Sequence, residues 1–242
     1  MNETIKQLRE RRSVRVFTDR EITSKEKDAI LEAAFEAPTA GNQQLYTIID
    51  ITDEKIKARL VDTCDHQPFI ADAKMVLIFC ADCKKWYDAF CFAGCEPRLP
   101  DLGDLLLAVS DANIAAQNAV TAAESLGIGS CYIGDIMENC EEQRALLGLP
   151  KYVFPAAMLV FGYPTEQQKE RVKPRRADRR HIVHENAYRC MGSEELRELF
   201  SIRADKREYE DYMRAFCHRK YNSDFSLEMS RSVREYLKQF DH

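Results

Sequence analysis

Two runs of cationic side chains stand far apart in the chain. Arg11, Arg12, Ser13 and Arg15 follow a polar helical segment and enter a β-like stretch, while Lys173 and Arg175 flank Pro174. Guanidinium forks, an ammonium and a hydroxyl suit a phosphate monoester, which carries nearly two negative charges and three acceptor oxygens. The plainer alternative is solvated surface charge. A second candidate station is Pro38-Thr39-Ala40-Gly41-Asn42-Gln43-Gln44. Its small residues let backbone approach a flat ligand, and Thr39, Asn42 and Gln44 can hydrogen-bond one. Alone it is equally a turn after a helix. The run Gly127 to Asp135 contains no phosphate-cradling motif. Neither GxGxxG after a first strand nor GxxxxGK[ST] occurs.

The elements that must position these stations follow from periodicity. Residues 2–10 read as a short helix. Thr23-Ser24-Lys25-Glu26 has capping-box spacing, with Ile22 as a staple, and opens a helix that Pro38 stops. Leu45–Ile51 reads as a strand, Asp53–Cys64 as a helix and Met75–Cys80 as a buried strand. Residues 83–100, with Trp86, Tyr87 and Phe90, read as a loop or lid, with a short helix as the alternative. A long alanine-rich helix spans about Asp101 to Leu126. Its stripe of Leu105, Val109, Ala112, Ala116, Val120 and Ala123, with small residues on other faces, predicts packing on more than one side, with a partner subunit as one candidate neighbour. In it, Asn113, Gln117 and Asn118 are expected to satisfy buried hydrogen bonds. Gly129–Ile133 and Ala156–Phe161 are further strands, separated by a helix over Asn139–Leu147. Charged helices follow over Ser193–Phe200, Lys206–Arg219 and Ser226–Phe240. This alternation predicts a mixed α/β or α+β sheet flanked by helices.

The 242 residues suit one sizeable domain, or one with an appendage, and the division expected is 1–190 plus a helical extension 191–242. A net charge of −5 argues against a general nucleic-acid binder. No apolar run reaches membrane-helix length and the N-terminus lacks a signal-type core, so a cytoplasmic protein off the membrane is expected. Nine cysteines then default to reduced thiols. Cys80-x-x-Cys83 with Cys91-x-x-x-Cys95 leaves a metal or iron–sulfur site as a rival. His181 and His184 are read as structural.

Taken in order, RRSVRVFTDREI, EAPTAGNQQ, DANIAAQNAVTAAESLGIGSCYIGD, LGLPKYVFPAAMLVFGYP and KPR resemble the nitroreductase family, most closely its oxygen-insensitive, NADPH-preferring flavin-reductase branch. The resemblance covers most of residues 1–176. It implies an α+β fold with a central mixed or antiparallel sheet, an intertwined homodimer and two FMN sites at the subunit interface. Arg11, Arg12, Ser13 and Arg15 would hold the phosphate and ribityl chain, with Lys173 and Arg175. Pro38, Thr39, Ala40 and Asn42 would come from the partner. Gln67 would bond the flavin ring, and Tyr132, Ile133, Gly134 and Asp135 would run past it. Asp135 stands where a glycine is common.

The activity so implied is hydride transfer from NADPH, or NADH, through FMN to a small acceptor such as a nitroaromatic, quinone or flavin. Both half-reactions would share one pocket in a ping-pong scheme with no essential catalytic acid or base, because the cofactor carries the chemistry. Alternatives are a dehalogenase-type enzyme of the same family, and a non-catalytic flavin- or metal-binding regulatory module.

Overall fold

A computed structural model describes residues 2–204 and 207–242. The chain divides into two compact units, one comprising the chain up to Arg171 together with Glu228–His242, the other Val172–Leu227.

The first unit is built on four strands: β1 (Tyr46–Asp50), β2 (Met75–Asp82), β3 (Gly129–Ile133) and β4 (Val153–Gly162). Their order is β1-β2-β4-β3, antiparallel at every pairing, so of the two sheet types expected the antiparallel one forms. Every residue of β2 and β4 is buried, which explains why both read as unbroken apolar runs rather than alternating ones. Ala156 is bulged, since Phe79 pairs with Ala157 and Cys80 with Pro155. A proline is tolerated at such an irregularity, and β4 therefore starts at Val153, three residues before the expected Ala156.

Around the sheet lie α1 (Glu3–Glu10), α2 (Ser24–Phe35), α3 (Glu54–Thr63), α4 (Phe69–Asp72), α5 (Lys84–Phe92), α6 (Leu102–Ser125), α7 (Cys140–Leu147) and α8 (Glu166–Glu170). Thr23 and Glu26 form the expected capping box at α2. A second one, Asp101 with Asp104, starts α6. That long helix packs on α2 and across β2 and β4 through its buried alanines. Residues 84–92 form a helix rather than the loop preferred from sequence. The cause lies upstream. Asp82, at the end of β2, accepts from Lys84 N at 3.0 Å and Lys85 N at 3.2 Å, and Lys84 pairs with Asp88 one turn on. The short helices α4 and α8 were not anticipated.

In the second unit, α9 (Ser193–Ala204) packs against α10 (Tyr209–Lys220). Lys206, where the second charged helix was expected to begin, lies outside the described residues. A last helix, α11 (Asp224–Leu237), returns to the first unit from Glu228 onward. There Tyr236 meets Phe154 edge-on at 5.1 Å and Phe240 meets Tyr152 at 5.5 Å, so the end of the chain is part of the main core.

Candidate functional site

The basic station is held in place by an extended segment that runs beside β3 and β4. Ser13 bridges Ser130 in parallel, Val14 N donates to Ser130 O at 2.9 Å, and Phe17 bridges Pro164. This approach requires two glycines, which face each other in the β3–β4 register. A Cβ on Gly129 would come within 2.5 Å of Val14 Cγ2, and one on Gly162 within 2.6 Å of Phe17. Gly129→Ala is therefore expected to cost about 1–3 kcal/mol and to displace Ser13 and Arg15 with Val14. Urea unfolding checks the first effect, and a folded variant with parental stability would contradict it.

Arg11, Ser13 and Arg15 converge on one point. Burial raises the Cys131 thiol above its ordinary range, and the charge of Arg15, a bond to Ser13 and the charge of Arg11 all pull it back. All three side chains therefore lie within electrostatic reach of Cys131. One donor there is left over, because Arg11 Nη1 is buried with no hydrogen-bond partner. Arg15 lies with its guanidinium 5.8 Å from the Phe69 ring, while its backbone N–H donates to Gln168 Oε1 at 3.3 Å. Arg12 behaves differently. Its Nη1 donates to the backbone oxygens of Lys169 and Arg171, the latter at 2.6 Å, at the C-terminal end of α8. Its visible role is to tie this end of α8 to the N-terminal segment.

Beyond Cys131, β3 continues through Tyr132, whose hydroxyl lies 3.5 Å from Gln117 Oε1, to the buried Ile133. Burial pushes the Tyr132 hydroxyl up to about 12 despite the nearby Arg11 charge. The exposed Gly134 then opens a 3-10 turn that contains Asp135. Gln67 reaches this turn from the start of α4. Its Nε2 donates to Asp135 Oδ2 at 3.0 Å and to Cys64 O at 2.9 Å.

Behind Asp135 sits Glu138, 4% exposed, with Oε1 unpartnered. Burial first, then the charge of Asp135, a hydrogen bond to it, and the charges of Asp65 and Glu228 raise its carboxyl to about 8. The unfolded group, with its ordinary value of 4.5, releases a proton that the native one retains, so stability falls as pH rises from about 4.5 to about 8. At pH 7 the deficit is on the order of 3 kcal/mol. Glu138→Gln should flatten this slope and stabilise the protein at pH 8. Urea unfolding at pH 5 and pH 8 tests it, and an unchanged slope would refute the assignment.

The loop after α2 is braced from α6. Asp111, 3% exposed, accepts from Ala40 N at 3.0 Å through Oδ1 and from Leu45 N at 3.2 Å through Oδ2. Thr39 Oγ1 accepts from Gln44 N at 3.2 Å. Asn42 and Gln44 both hold positive φ, a strained conformation that needs such bracing. The braced loop leaves Pro38 and Asn42 exposed and Thr39 and Ala40 half-buried. Among the described residues, no hydrogen bond, ion pair or ring contact joins this loop to Arg11–Arg15 or to Asp135 within the chain. Asp111 was missed from sequence, where it reads as one more polar residue in the long helix. A lone aspartate on an otherwise buried alanine face is the signal that marks it.

Lys173, half-buried, and Arg175, exposed, fall in the second unit. Of the central-helix amides, only Asn118 meets the expectation of a buried bond, donating to Ala33 O at 3.1 Å. Asn113 and Gln117 are exposed and bond along their own helix, and Gln117 Oε1 also accepts from the Tyr132 hydroxyl. Trp86, Tyr87 and Phe90 line a cavity of roughly 300 Å3 beside Gln43, and Trp86 Nε1 donates to Gln43 O at 2.7 Å. All nine cysteines are free, and burial pushes Cys80 and Cys83 up to about 12. No group of three or more His, Cys, Asp or Glu among the described residues is placed to hold a metal.

Comparison with known proteins decides the family. The nitroreductase family model matches residues 8–163. The chain belongs to the nitroreductase family. It is 33% identical to the FMN reductase [NAD(P)H] of Bacillus subtilis, over 98% of this chain and 91% of that one. It is 38% identical to the oxygen-insensitive NADPH nitroreductase of Salmonella typhimurium, over 78% of this chain and 75% of that one. A putative oxidoreductase from Bacteroides fragilis has the same fold, with a TM-score of 0.86 at 26% identity over 97% of this chain and 98% of that one. The nitroreductase-family chain thus runs Ser13 beside β3 of an antiparallel sheet. No helix among its described residues is long and apolar enough to cross a membrane.

Proposed function

We propose that this nitroreductase-family protein is an FMN-dependent oxidoreductase that passes hydride from NADPH or NADH to a small acceptor, and that it works in the cytoplasm as a homodimer. The observation that carries the reading is the buried, unpartnered Nη1 of Arg11 beside Ser13 and Arg15, a donor set whose missing acceptor is anionic. The residues fit the phosphate end of FMN. Two relatives named as an FMN reductase and an NADPH nitroreductase support the flavin and the nucleotide.

Bound FMN supplies the centre that accepts and then gives up a hydride. Around it the chain's own residues bind and orient. Arg11, Ser13 and Arg15 hold the phosphate and ribityl end, and Arg12 fixes the segment that carries them. Gln67 and the stretch from Tyr132 to Asp135 border the ring. No side chain need move a proton for the hydride step, so donor and acceptor can use the same space in turn, which gives ping-pong kinetics.

The dimer rests on unpartnered apolar surface. Leu106 is 68% exposed on α6, Leu102, Leu107 and Ile114 share that helix, and Phe92 is 89% exposed at the end of α5. Exposed apolar side chains on these two helices favour a partner, and a second copy would bring Pro38, Thr39, Ala40 and Asn42 to the flavin.

The test is anaerobic titration of the purified protein with NADPH and with NADH, followed by a nitroaromatic, a quinone or free flavin. The expected result is a yellow protein that bleaches on nucleotide addition and recovers its colour on acceptor addition. A yellow protein that neither nucleotide bleaches would leave only flavin binding.

A further inference from the structure

We propose that Asp135 is a positioning residue that locks the Gln67 amide with its carbonyl oxygen outward, so that the protein offers the flavin ring an acceptor and selects the ring's N3–H. The inference rests on the FMN reading above and concerns the contact between Gln67 and Asp135.

An amide is chemically two-faced, and which face it shows is set by its neighbours. Both neighbours of Gln67 Nε2 are acceptors: the backbone oxygen of Cys64 at 2.9 Å and a carboxylate oxygen of Asp135 at 3.0 Å. Neither can donate, so the nitrogen must point at them and both of its protons are used. Reversing the amide would set its oxygen against two acceptors and forfeit two hydrogen bonds, one of them charge-assisted. Oε1 is left as a pure acceptor.

The backbone limits the alternatives further. Asp65 and His66, immediately before Gln67, both hold positive φ, at 56° and 50°, in a tight reversal that brings the side chain back over Cys64. Asp135 is fixed as well, since the turn that contains it closes through Glu138 N donating to Asp135 O at 3.0 Å. A glycine at 135 would leave Gln67 with Cys64 O alone and its second N–H free to turn outward as a donor.

The oxidised isoalloxazine edge carries carbonyl and imine acceptors and a single ring N–H, at N3. An outward acceptor on Gln67 can pair only with that N–H. An outward donor would instead pair with a ring carbonyl.

Equilibrium binding of FMN and of N3-methyl-FMN to the flavin-free full-length protein, followed by flavin fluorescence, reads this choice without turnover. The parent is expected to bind the methylated flavin at least tenfold more weakly, the loss of about one good hydrogen bond. In Asp135→Ala and Asp135→Gly the preference should shrink to within about threefold, and Asp135→Asn, which keeps one acceptor oxygen, should keep most of it. Equal discrimination by parent and Asp135→Gly would overturn the proposal, because the methyl group would then be sensed by bulk alone. Equal affinity of the parent for both flavins would overturn it too. In either case FMN binding itself would stand. A parent that binds neither flavin would instead remove the functional reading, and this inference with it.

Discussion

Arg11→Met is expected to weaken FMN binding by about 30- to 150-fold, the worth of a buried charge-assisted contact of about 2–3 kcal/mol. The same substitution should leave the flavin-free protein as stable as its parent, or more stable. The two effects differ in sign because Arg11 Nη1 is buried with no hydrogen-bond partner. A buried cation without an acceptor costs stability in the empty protein. It becomes favourable only when an anion arrives. A side chain serving the fold alone would behave the opposite way, with methionine lowering stability and barely touching affinity. Fluorescence titration with FMN, paired with urea unfolding of the flavin-free protein, separates the cases. Parental FMN affinity would refute the role given to Arg11.

Asp111→Ala is expected to destabilise the protein by about 3–5 kcal/mol, the largest loss foreseen for any single position. One buried carboxylate satisfies Ala40 N and Leu45 N at 3.0 and 3.2 Å, and alanine would strand both. Between those two anchors Asn42 and Gln44 sit at φ of 56° and 51°. FMN binding should fall with stability if Pro38–Asn42 of a second copy borders the flavin. Asp111→Asn keeps one acceptor and should cost about 1–3 kcal/mol. Thermal and urea unfolding of the two variants should rank them in that order. Parental stability in Asp111→Ala would contradict the brace.

Most elements were legible because local chemistry and tertiary packing agree. The Thr23–Glu26 box, the alanine stripe of α6 and the apolar runs of β2 and β4 each have a period or cap that survives into the structure. The misreadings occur where a distant or overlooked partner decides. Helix α5 depends on Asp82, which belongs to the preceding strand. The start of β4 depends on a bulge opposite Phe79 and Cys80 that makes room for Pro155.

The site shows the same division. Arg11, Ser13 and Arg15 were read as a phosphate station, and all three act on the Cys131 thiol of β3. That Arg12 instead binds the carbonyls of Lys169 and Arg171 depends on contacts more than 150 residues away along the chain, beyond any local pattern. Gln67 and Asp135 were both named as lining the flavin ring. Their mutual hydrogen bond, which fixes the orientation of the amide, emerges only when α4 and the turn after β3 are brought together.

The most direct measurement compares FMN with riboflavin, which shares the ring and ribityl chain but lacks the phosphate, in equilibrium binding to the flavin-free protein. A cationic station built for a phosphate predicts one FMN per chain and riboflavin bound at least a hundredfold more weakly, with the gap narrowing as salt rises. Equal affinity for the two flavins would contradict it.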